Sequence, residues 1–179
     1  MQKNQPEVKK WVAISGTWKL TSEKVERDVR SLVRKVLETG GGVVTGGALN
    51  VDYFATDEAM RLDPKCERVK IFLPTTLEIY AKHYRKRAKE GVITKKQAED
   101  LITQLEKLKS VNPKALIIKQ VNKIVDKTAY FERNDAVVNA SDELVIFHVI
   151  QSTGGGTSDA AEKAKKLGIP IKRYNYSIE

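Results

Sequence analysis

The chain has 179 residues, 41% hydrophobic and 31% charged, which is typical of a globular protein with a substantial core. No apolar run approaches the roughly 20 residues that span a bilayer, and residues 1–6 lack a secretory signal, so we predict a cytoplasmic protein without membrane partners. One cysteine, Cys66, excludes an internal disulfide, and two histidines do not build a structural metal site. The net charge of +9 favours anionic partners.

Short apolar segments alternate with helical patterns, which predicts a Rossmann-like α/β fold: a mainly parallel sheet of five or more strands with helices on both faces. Apolar runs of this kind are typical of strands that are buried on both sides. The predicted core strands are residues 12–15, 43–45, 69–73, 144–147 and 169–172. The predicted helices are a first one capped by Thr21 or Ser22 and ending near residue 38, then residues 51–62, 76–89, 94–109, 129–140 and 157–167.

The middle of the chain departs from this alternation. Residues 76–127 contain 13 Lys/Arg and 6 Asp/Glu, a net charge of +7, and we interpret them as a basic helical insertion in a single nucleotide-binding domain, 1–179. Residues 115–119 fit a short strand or an extended link. Around His83 and Tyr84, cations mix with an aromatic ring, as in single-stranded nucleic-acid sites. The candidate contacts are Lys82, Arg85, Lys86 and Arg87; the alternative is a solvated, lysine-rich helix face.

Two glycine-rich loops follow predicted strands and precede predicted helices, at residues 46–52 and 154–158. A helix N-terminus presents unpaired N–H groups, and glycine lets a phosphate approach the backbone. Neither loop is a Walker A motif or a complete dinucleotide fingerprint, and the glycines of the second loop also fit a turn that needs their free φ. The predicted ligand-binding residues are Ser15, Gly16, Thr17, Trp18, Gly46, Gly47, Ala48, Arg133, Asn134, Gly154, Gly155, Gly156, Thr157 and Ser158.

Two carboxylates near these loops are candidate catalytic groups. Asp52 follows the first loop, where it can hold a ribose hydroxyl or accept a proton, or simply complement the dipole of its helix. Asp159 follows the second loop, where residues 159–162 also fit a capping box. Trp18 can stack on a base or pack in a loop, and Arg133 can pair with a phosphate or form an exposed ion pair.

Together these pieces resemble the SLOG superfamily of Rossmann-like domains. The matching segments are residues 13–17, 45–52, 131–134 and 154–157. The Gly-Gly-Ala-x-x-x-Asp and Arg-Asn pieces look most like the DNA-processing protein A (Smf-like) branch, and the Gly-Gly-Gly-Thr piece is similar to the shared glycine loop. Related LONELY GUY phosphoribohydrolases carry Pro-Gly-Gly-x-Gly-Thr-x-x-Glu; here Ser152 and Thr153 replace the proline region, and Asp159 lies near the place of the glutamate.

Two functions remain open from the sequence. One is a binding module for a nucleotide or for nucleic-acid phosphates, in DNA processing or nucleotide signalling, as the resemblance implies. The other is a hydrolase or transferase that acts on the N-glycosidic bond of a nucleoside or nucleotide, with Asp52 or Asp159 as the carboxylate. We expect a homo-oligomer without a cofactor or a metal ion.

Overall fold

A computed structural model describes residues 7–179, so the prediction about a secretory signal, which rests on residues 1–6, lies outside the described residues. The strands of the described chain are β1 (Trp11–Gly16), β2 (Gly42–Thr45), β3 (Val69–Leu73), β4 (Leu116–Ile118), β5 (Glu143–Val149) and β6 (Ile171–Tyr176). Its α-helices are α1 (Glu23–Glu38), α2 (Val51–Leu62), α3 (Leu77–Lys89), α4 (Lys95–Val111), α5 (Lys127–Asn139) and α6 (Gly156–Lys166).

The strands form one parallel sheet in the order β4-β3-β2-β1-β5-β6, which confirms the predicted Rossmann-like α/β fold. At its centre, Val12 of β1 lies beside Val43 of β2 and Glu143 of β5. The chain builds β2, β3 and β4 on one side of β1 and then places β5 and β6 on the other. In open parallel sheets a ligand crevice forms where the strand order reverses, outside the carboxyl ends of the strands. Here that point lies between β1 and β5.

Helices cover both faces of the sheet because its side chains alternate between two apolar layers. Ile14 and Ile71 pack with the buried side chains of α1, α2 and α4. Ala13 and Phe72, their neighbours in sequence, pack with the buried side chains of α5 and α6. Both faces of the central strands are therefore buried, as their continuous apolar runs predict.

Three helices begin directly after a hydroxyl residue, and the predicted cap of α1 at Thr21 or Ser22 is confirmed at Ser22. Ser22, Thr76 and Thr94 are the N-cap residues of α1, α3 and α4, and each side-chain oxygen accepts a hydrogen bond from the backbone N–H three residues later. The bounds of α2 are those predicted. Hydroxyl residues at these positions satisfy N–H groups that have no partner within the helix.

The last strand differs from its prediction. It spans Ile171–Tyr176, begins two residues later than expected, and is largely exposed except at Tyr176. Pro170 precedes the strand, and its carbonyl accepts a hydrogen bond from Leu144 N at 3.0 Å. The apolar run at residues 169–171 therefore marks the entry to an edge strand, and the prediction of a strand buried on both faces is wrong here.

Residues 76–127 hold α3, α4, a short 3₁₀ turn at Pro113–Ala115, and β4, which pairs with β3 and extends the sheet. Of the two alternatives for residues 115–119, the structure therefore shows the short strand. The division of the chain into one domain with an insertion stays a prediction. Within residues 7–179, no helix is long and apolar enough to cross a membrane.

Candidate functional site

A cavity of about 550 Å³ opens at the carboxyl edge of the sheet, beside the point where the strand order reverses. The predicted site residues that line it are Ser15, Gly16, Thr17, Trp18, Ala48, Asp52, Arg87, Arg133, Asn134, Gly154, Gly155, Gly156 and Thr157. The predicted residues outside its lining are Gly46, Gly47, Lys82, Arg85, Lys86, Ser158 and Asp159. The strand-end loops therefore converge on the cavity as the sequence predicts. They differ in how many residues each contributes to the lining: four at the end of β1, two in the first glycine loop and four in the second.

The end of β1 is held tightly against β5. Thr17 N donates to Phe147 O at 3.1 Å, and Thr17 Oγ1 accepts from Val149 N at 3.0 Å. A Cβ atom on Gly16 would lie 2.6 Å from Val51 Cγ2 and closer still to Phe147 O, so only glycine lets β1, β5 and α2 meet here. This junction of β1, β5 and α2 lies at the floor of the cavity.

The first glycine loop is buried, and its backbone groups are already bonded within the protein. Gly46 N and Ala48 N donate to Asp52 Oδ2 at 3.1 and 3.2 Å, and Gly47 N donates to Thr45 Oγ1 at 3.3 Å. The expectation that Gly46 and Gly47 offer their N–H groups to a ligand needs correction, because these donors have acceptors in the folded chain. Only Ala48 and Asp52 of this loop reach the cavity.

The carbonyl groups of the same loop are bonded as well. Gly46 O accepts from the Arg133 guanidinium, and Gly47 O accepts from Tyr80 Oη at 2.9 Å. A Cβ atom on Gly46 would lie 2.5 Å from Arg133 Cζ, so the guanidinium packs directly on the glycine backbone. Arg133 therefore stabilises a cavity wall, in addition to facing the cavity itself.

Asp52 is a buried carboxyl at this wall, 6% exposed. Burial raises its pKa above the ordinary value, while Arg133 and the N–H groups of Ala48 and Gly46 oppose the rise. Both backbone bonds reach Oδ2, so they leave Oδ1 uninvolved. A carboxyl that lines a cavity and has a raised pKa is suited to hold or transfer a proton.

Within residues 7–179, the second glycine loop differs in its exposure and in its free N–H groups, although Gly156 O accepts from Asn134 Nδ2 at 3.2 Å. Gly154, Gly155 and Gly156 are exposed, and none of them has the positive φ that requires glycine. In the described part of the chain, a Cβ atom on Gly154 or Gly156 would meet no atom within 4 Å. Neither backbone conformation nor packing therefore requires glycine at these two positions, and the alternative of a turn that needs free φ is wrong for this loop.

This loop opens α6, whose first N–H groups face the cavity side of the sheet. Gly155 is the N-cap residue and has no side chain that could accept from them. Thr157 in the first turn is buried and lines the cavity. Lys127 joins the loop from α5, because its Cε atom lies 3.9 Å from a Cβ position on Gly155. Backbone donors, a helix N-terminus and an ammonium group thus converge at one place.

Asp159 lies beside the cavity and connects α6 to α5 through a hydrogen bond. Its Oδ2 atom accepts from Asn134 Nδ2 at 3.0 Å and from Lys163 Nζ at 2.8 Å. The capping-box interpretation is wrong, because α6 begins at Gly156 and Asp159 already lies within its first turn. The catalytic expectation for Asp159 loses its geometric basis, since this carboxylate is outside the cavity lining.

Across the cavity, α3 and α5 form an aromatic wall. Tyr130 Oη and His83 Nε2 lie 3.3 Å apart, and Tyr84 Oη lies 3.2 Å from Tyr80 Oη, which accepts from it while donating to Gly47 O. Burial and the nearby Arg87 lower the pKa of His83 below its ordinary value, which favours the neutral ring. The apolar residues of this wall are Tyr84, Ile93, Val125, Tyr130 and Phe131, and His83 and Arg87 add polar groups to it.

The basic residues of α3 do not all face the cavity. Lys82 pairs with Glu78 at 3.1 Å, Arg85 with Glu99 at 2.9 Å and Lys86 with Glu90 at 3.8 Å, and these three cations lie outside the cavity. The pairs are exposed, so each contributes little to stability. Arg87 also pairs with Glu90, at 3.1 Å, but it lines the cavity.

Several residues that line the cavity were not among the predicted site residues, including Lys127, Asp126, Ile93, Val125, Tyr130 and Phe131. Phe131 belongs to a segment of the resemblance, but the others carry no motif. His148 also lines the cavity, and within residues 7–179 its Nδ1 atom is buried without a hydrogen-bond partner. Its place directly after the predicted strand at residues 144–147 is the available signal, and in the structure His148 lies within β5.

No protein family model and no curated protein matches the chain. Several solved structures share its fold, including the following two proteins. DNA processing protein A from Helicobacter pylori, which has a single-stranded DNA binding mode, is 20% identical over 93% of this chain and 65% of its own, with a TM-score of 0.65. The molybdenum cofactor carrier protein from Chlamydomonas reinhardtii is 15% identical over 92% of this chain and 76% of its own, with a TM-score of 0.53.

These likenesses agree with the strand order and identify a Rossmann-like α/β protein. The chain spans less than two thirds of the Helicobacter pylori protein. Because one fold supports many unrelated functions, an argument about function must begin from the cavity of this chain.

Proposed function

We propose that this protein binds the phosphate of a nucleotide, or of a nucleic-acid strand, at the second glycine loop. The observation that carries this proposal is the set of exposed glycines at residues 154–156. Gly154 and Gly156 are required neither by φ nor by packing, and the loop opens α6 beside a large cavity. Glycine there has a physical reason if a phosphate must approach the backbone N–H groups of the first helical turn.

Lys127 supplies the charge that the loop itself lacks. Its position beside Gly155 lets an ammonium group pair with a phosphate that the α6 N-terminus holds. Lys127 is exposed and lies 5.3 Å over the Phe131 ring, so it can move toward a ligand without leaving a buried charge unpaired.

The likeness to the Helicobacter pylori protein supports an anionic ligand of the nucleic-acid type, since that protein binds single-stranded DNA. Together with the matching segments at residues 13–17, 45–52, 131–134 and 154–157, it leads us to propose membership of the SLOG superfamily, near its DNA-processing branch. A cytoplasmic location and a homo-oligomeric state remain predictions.

A direct test compares Gly154→Leu with Thr153→Leu. Gly154 lines the cavity, whereas Thr153 is its exposed neighbour outside the lining. Calorimetric titration with ribose 5-phosphate and with a short single-stranded oligonucleotide should show weaker binding for Gly154→Leu and parent-like binding for Thr153→Leu. Binding of both ligands by Gly154→Leu with parent affinity would remove the loop from the site.

A second function, cleavage of an N-glycosidic bond, is favoured by one observation: the buried Asp52 carboxyl lines the same cavity with a raised pKa. In hydrolysis, water adds to the anomeric carbon while the bond to the base nitrogen breaks; a carboxylate can take one proton from the water and pass it to the nitrogen of the departing base. Chromatography of nucleoside 5′-monophosphates incubated with the protein tests this. Release of free base by the parent and not by Asp52→Asn, with equal nucleotide affinity, is the expected result.

A further inference from the structure

We propose that the aromatic wall between α3 and α5 is a nucleobase subsite, and that Arg87 selects a base with a carbonyl oxygen on its edge. This proposal rests on the phosphate site at the second glycine loop and names the class of nucleotide that the same cavity takes. The wall is continuous with that site, because Phe131 Cζ lies 3.6 Å from a Cβ position on Gly155.

The wall has the composition of a surface for a flat, largely apolar group. Tyr84, Tyr130 and Phe131 supply aromatic carbon, and Ile93 and Val125 supply aliphatic carbon. Bases stack on such side chains with little dependence on sequence, so the wall alone would accept any base. The Trp18 side chain also lines the cavity. It is 39% exposed and is a single ring, whereas the wall combines three aromatic side chains.

Among the polar groups of the wall, Arg87 can only donate hydrogen bonds. Arg87 lies one helical turn after His83, so both project from the same side of α3, and the His83 ring is within hydrogen-bond distance of Tyr130 Oη. Arg87 NH1 donates to Glu90 Oε2 at 3.1 Å, which leaves the other N–H groups of the guanidinium for a ligand. The Asp126 carboxylate accepts from Ala129 N through Oδ1 as the N-cap of α5.

A donor at this position distinguishes bases by their edges. The guanidinium pairs with the carbonyl oxygen of a 6-oxopurine, whereas the 6-amino group of adenine presents another donor. We therefore assign the subsite to nucleotides whose base carries a carbonyl oxygen, and hypoxanthine against adenine is the matched pair of probes because the two purines differ at the 6-position. Arg85, two residues earlier, is held by Glu99 outside the cavity and provides the matched control.

The experiment titrates inosine 5′-monophosphate, adenosine 5′-monophosphate and ribose 5-phosphate into the parent, Arg87→Gln and Arg85→Gln. For the parent we expect inosine 5′-monophosphate to bind about 10-fold more tightly than the adenine nucleotide, as a direct edge contact predicts. Arg87→Gln should remove this difference and leave the affinity for ribose 5-phosphate unchanged, and Arg85→Gln should behave as the parent.

Equal affinities of the parent for the two nucleotides would overturn the base assignment while leaving the phosphate site intact. An equal weakening of all three ligands by Arg87→Gln would also overturn it, because the guanidinium would then act on the phosphate. If ribose 5-phosphate and both nucleotides fail to bind the parent, the proposed function fails together with the subsite. Circular dichroism of each variant verifies that it is folded.

Discussion

The two glycine-rich loops follow β2 and β5, and the protein treats their backbone N–H groups in opposite ways. In the first loop, Asp52 and Thr45 accept from the N–H groups, while Arg133 and Tyr80 donate to the carbonyl oxygens. In the second loop, the glycines are exposed and open α6 without a capping side chain. One loop builds a wall of the cavity, and the other presents its backbone to the cavity.

The difference teaches that a glycine-rich turn before a helix has two physical uses. Glycine can allow side chains to pack on a backbone, as Arg133 does on Gly46, or it can leave space for a ligand. The hydrogen-bond partners of the loop decide between these uses, because a buried N–H group that already has an acceptor is not available to a phosphate.

The largest expected effect is in the first loop. Gly47 has φ +64, and a Cβ atom there would lie 2.7 Å from Leu73 Cδ2. Backbone strain and overpacking together should lower the free energy of unfolding of Gly47→Ala by about 3 kcal/mol. Denaturation with urea measures this value. Parent-like stability would show that the first loop is not a tightly packed wall.

A smaller loss is expected for Asp52→Ala, about 2 kcal/mol, because the N–H groups of Gly46 and Ala48 lose their acceptor. Asp52→Asn keeps an oxygen at this position and should lose less. The same denaturation experiment compares the two variants. If both variants lose the same amount, the carboxylate does not hold the loop through these bonds.

In the second loop we expect a substitution of glycine to increase the free energy of unfolding instead of lowering it. Gly156 is the first residue of α6, and a Cβ atom there meets nothing within 4 Å in the described structure. Gly156→Ala should therefore raise the free energy of unfolding by about 0.4–1 kcal/mol, because alanine reduces the conformational entropy of the unfolded chain. Binding of ribose 5-phosphate should weaken in the same variant. A gain in stability with unchanged binding would break the proposed link between this loop and a ligand.

The smallest expected effect is the pH dependence of stability that the Asp52 carboxyl causes. Because burial raises the pKa of Asp52 in the folded state, the folded protein binds a proton more readily than the unfolded chain. The stability of the parent relative to Asp52→Asn should therefore increase as the pH falls from the raised pKa toward the ordinary value of 3.8, and level off below it. Denaturation curves of both proteins between pH 7 and pH 4 provide the comparison. A relative stability that falls with acidification would mean that the carboxyl has a lowered pKa.

Much of the fold follows from the sequence because its strongest signals are local. The apolar runs of β1, β2, β3 and β5 and the hydroxyl caps of three helices need no tertiary information. The sequence pattern predicts β6 two residues too early and predicts it to be buried, whereas burial of a strand depends on which elements lie beside it. β4 has only three residues, which are too few for a periodic pattern.

The site was predicted less completely, for a related reason. Loops at the ends of parallel strands meet at one edge of the sheet, so Ser15, Ala48 and Gly154 could be assigned to one cavity. The aromatic wall depends on how α3 lies against α5, which no motif encodes. The same packing turns Arg87 toward the cavity and leaves Arg85 outside it, although the two are neighbours in one basic run.

The most direct test of the difference between the loops is an NMR titration of the ¹⁵N-labelled protein with ribose 5-phosphate. The account predicts that the backbone amide resonances of Gly155, Gly156, Thr157 and Ser158 shift, because their N–H groups lie at the proposed phosphate site. The amides of Gly46 and Gly47 should stay in place, since Asp52 and Thr45 already accept from them. Shifts concentrated at Gly46 and Gly47, with none at residues 155–158, would contradict the central claim.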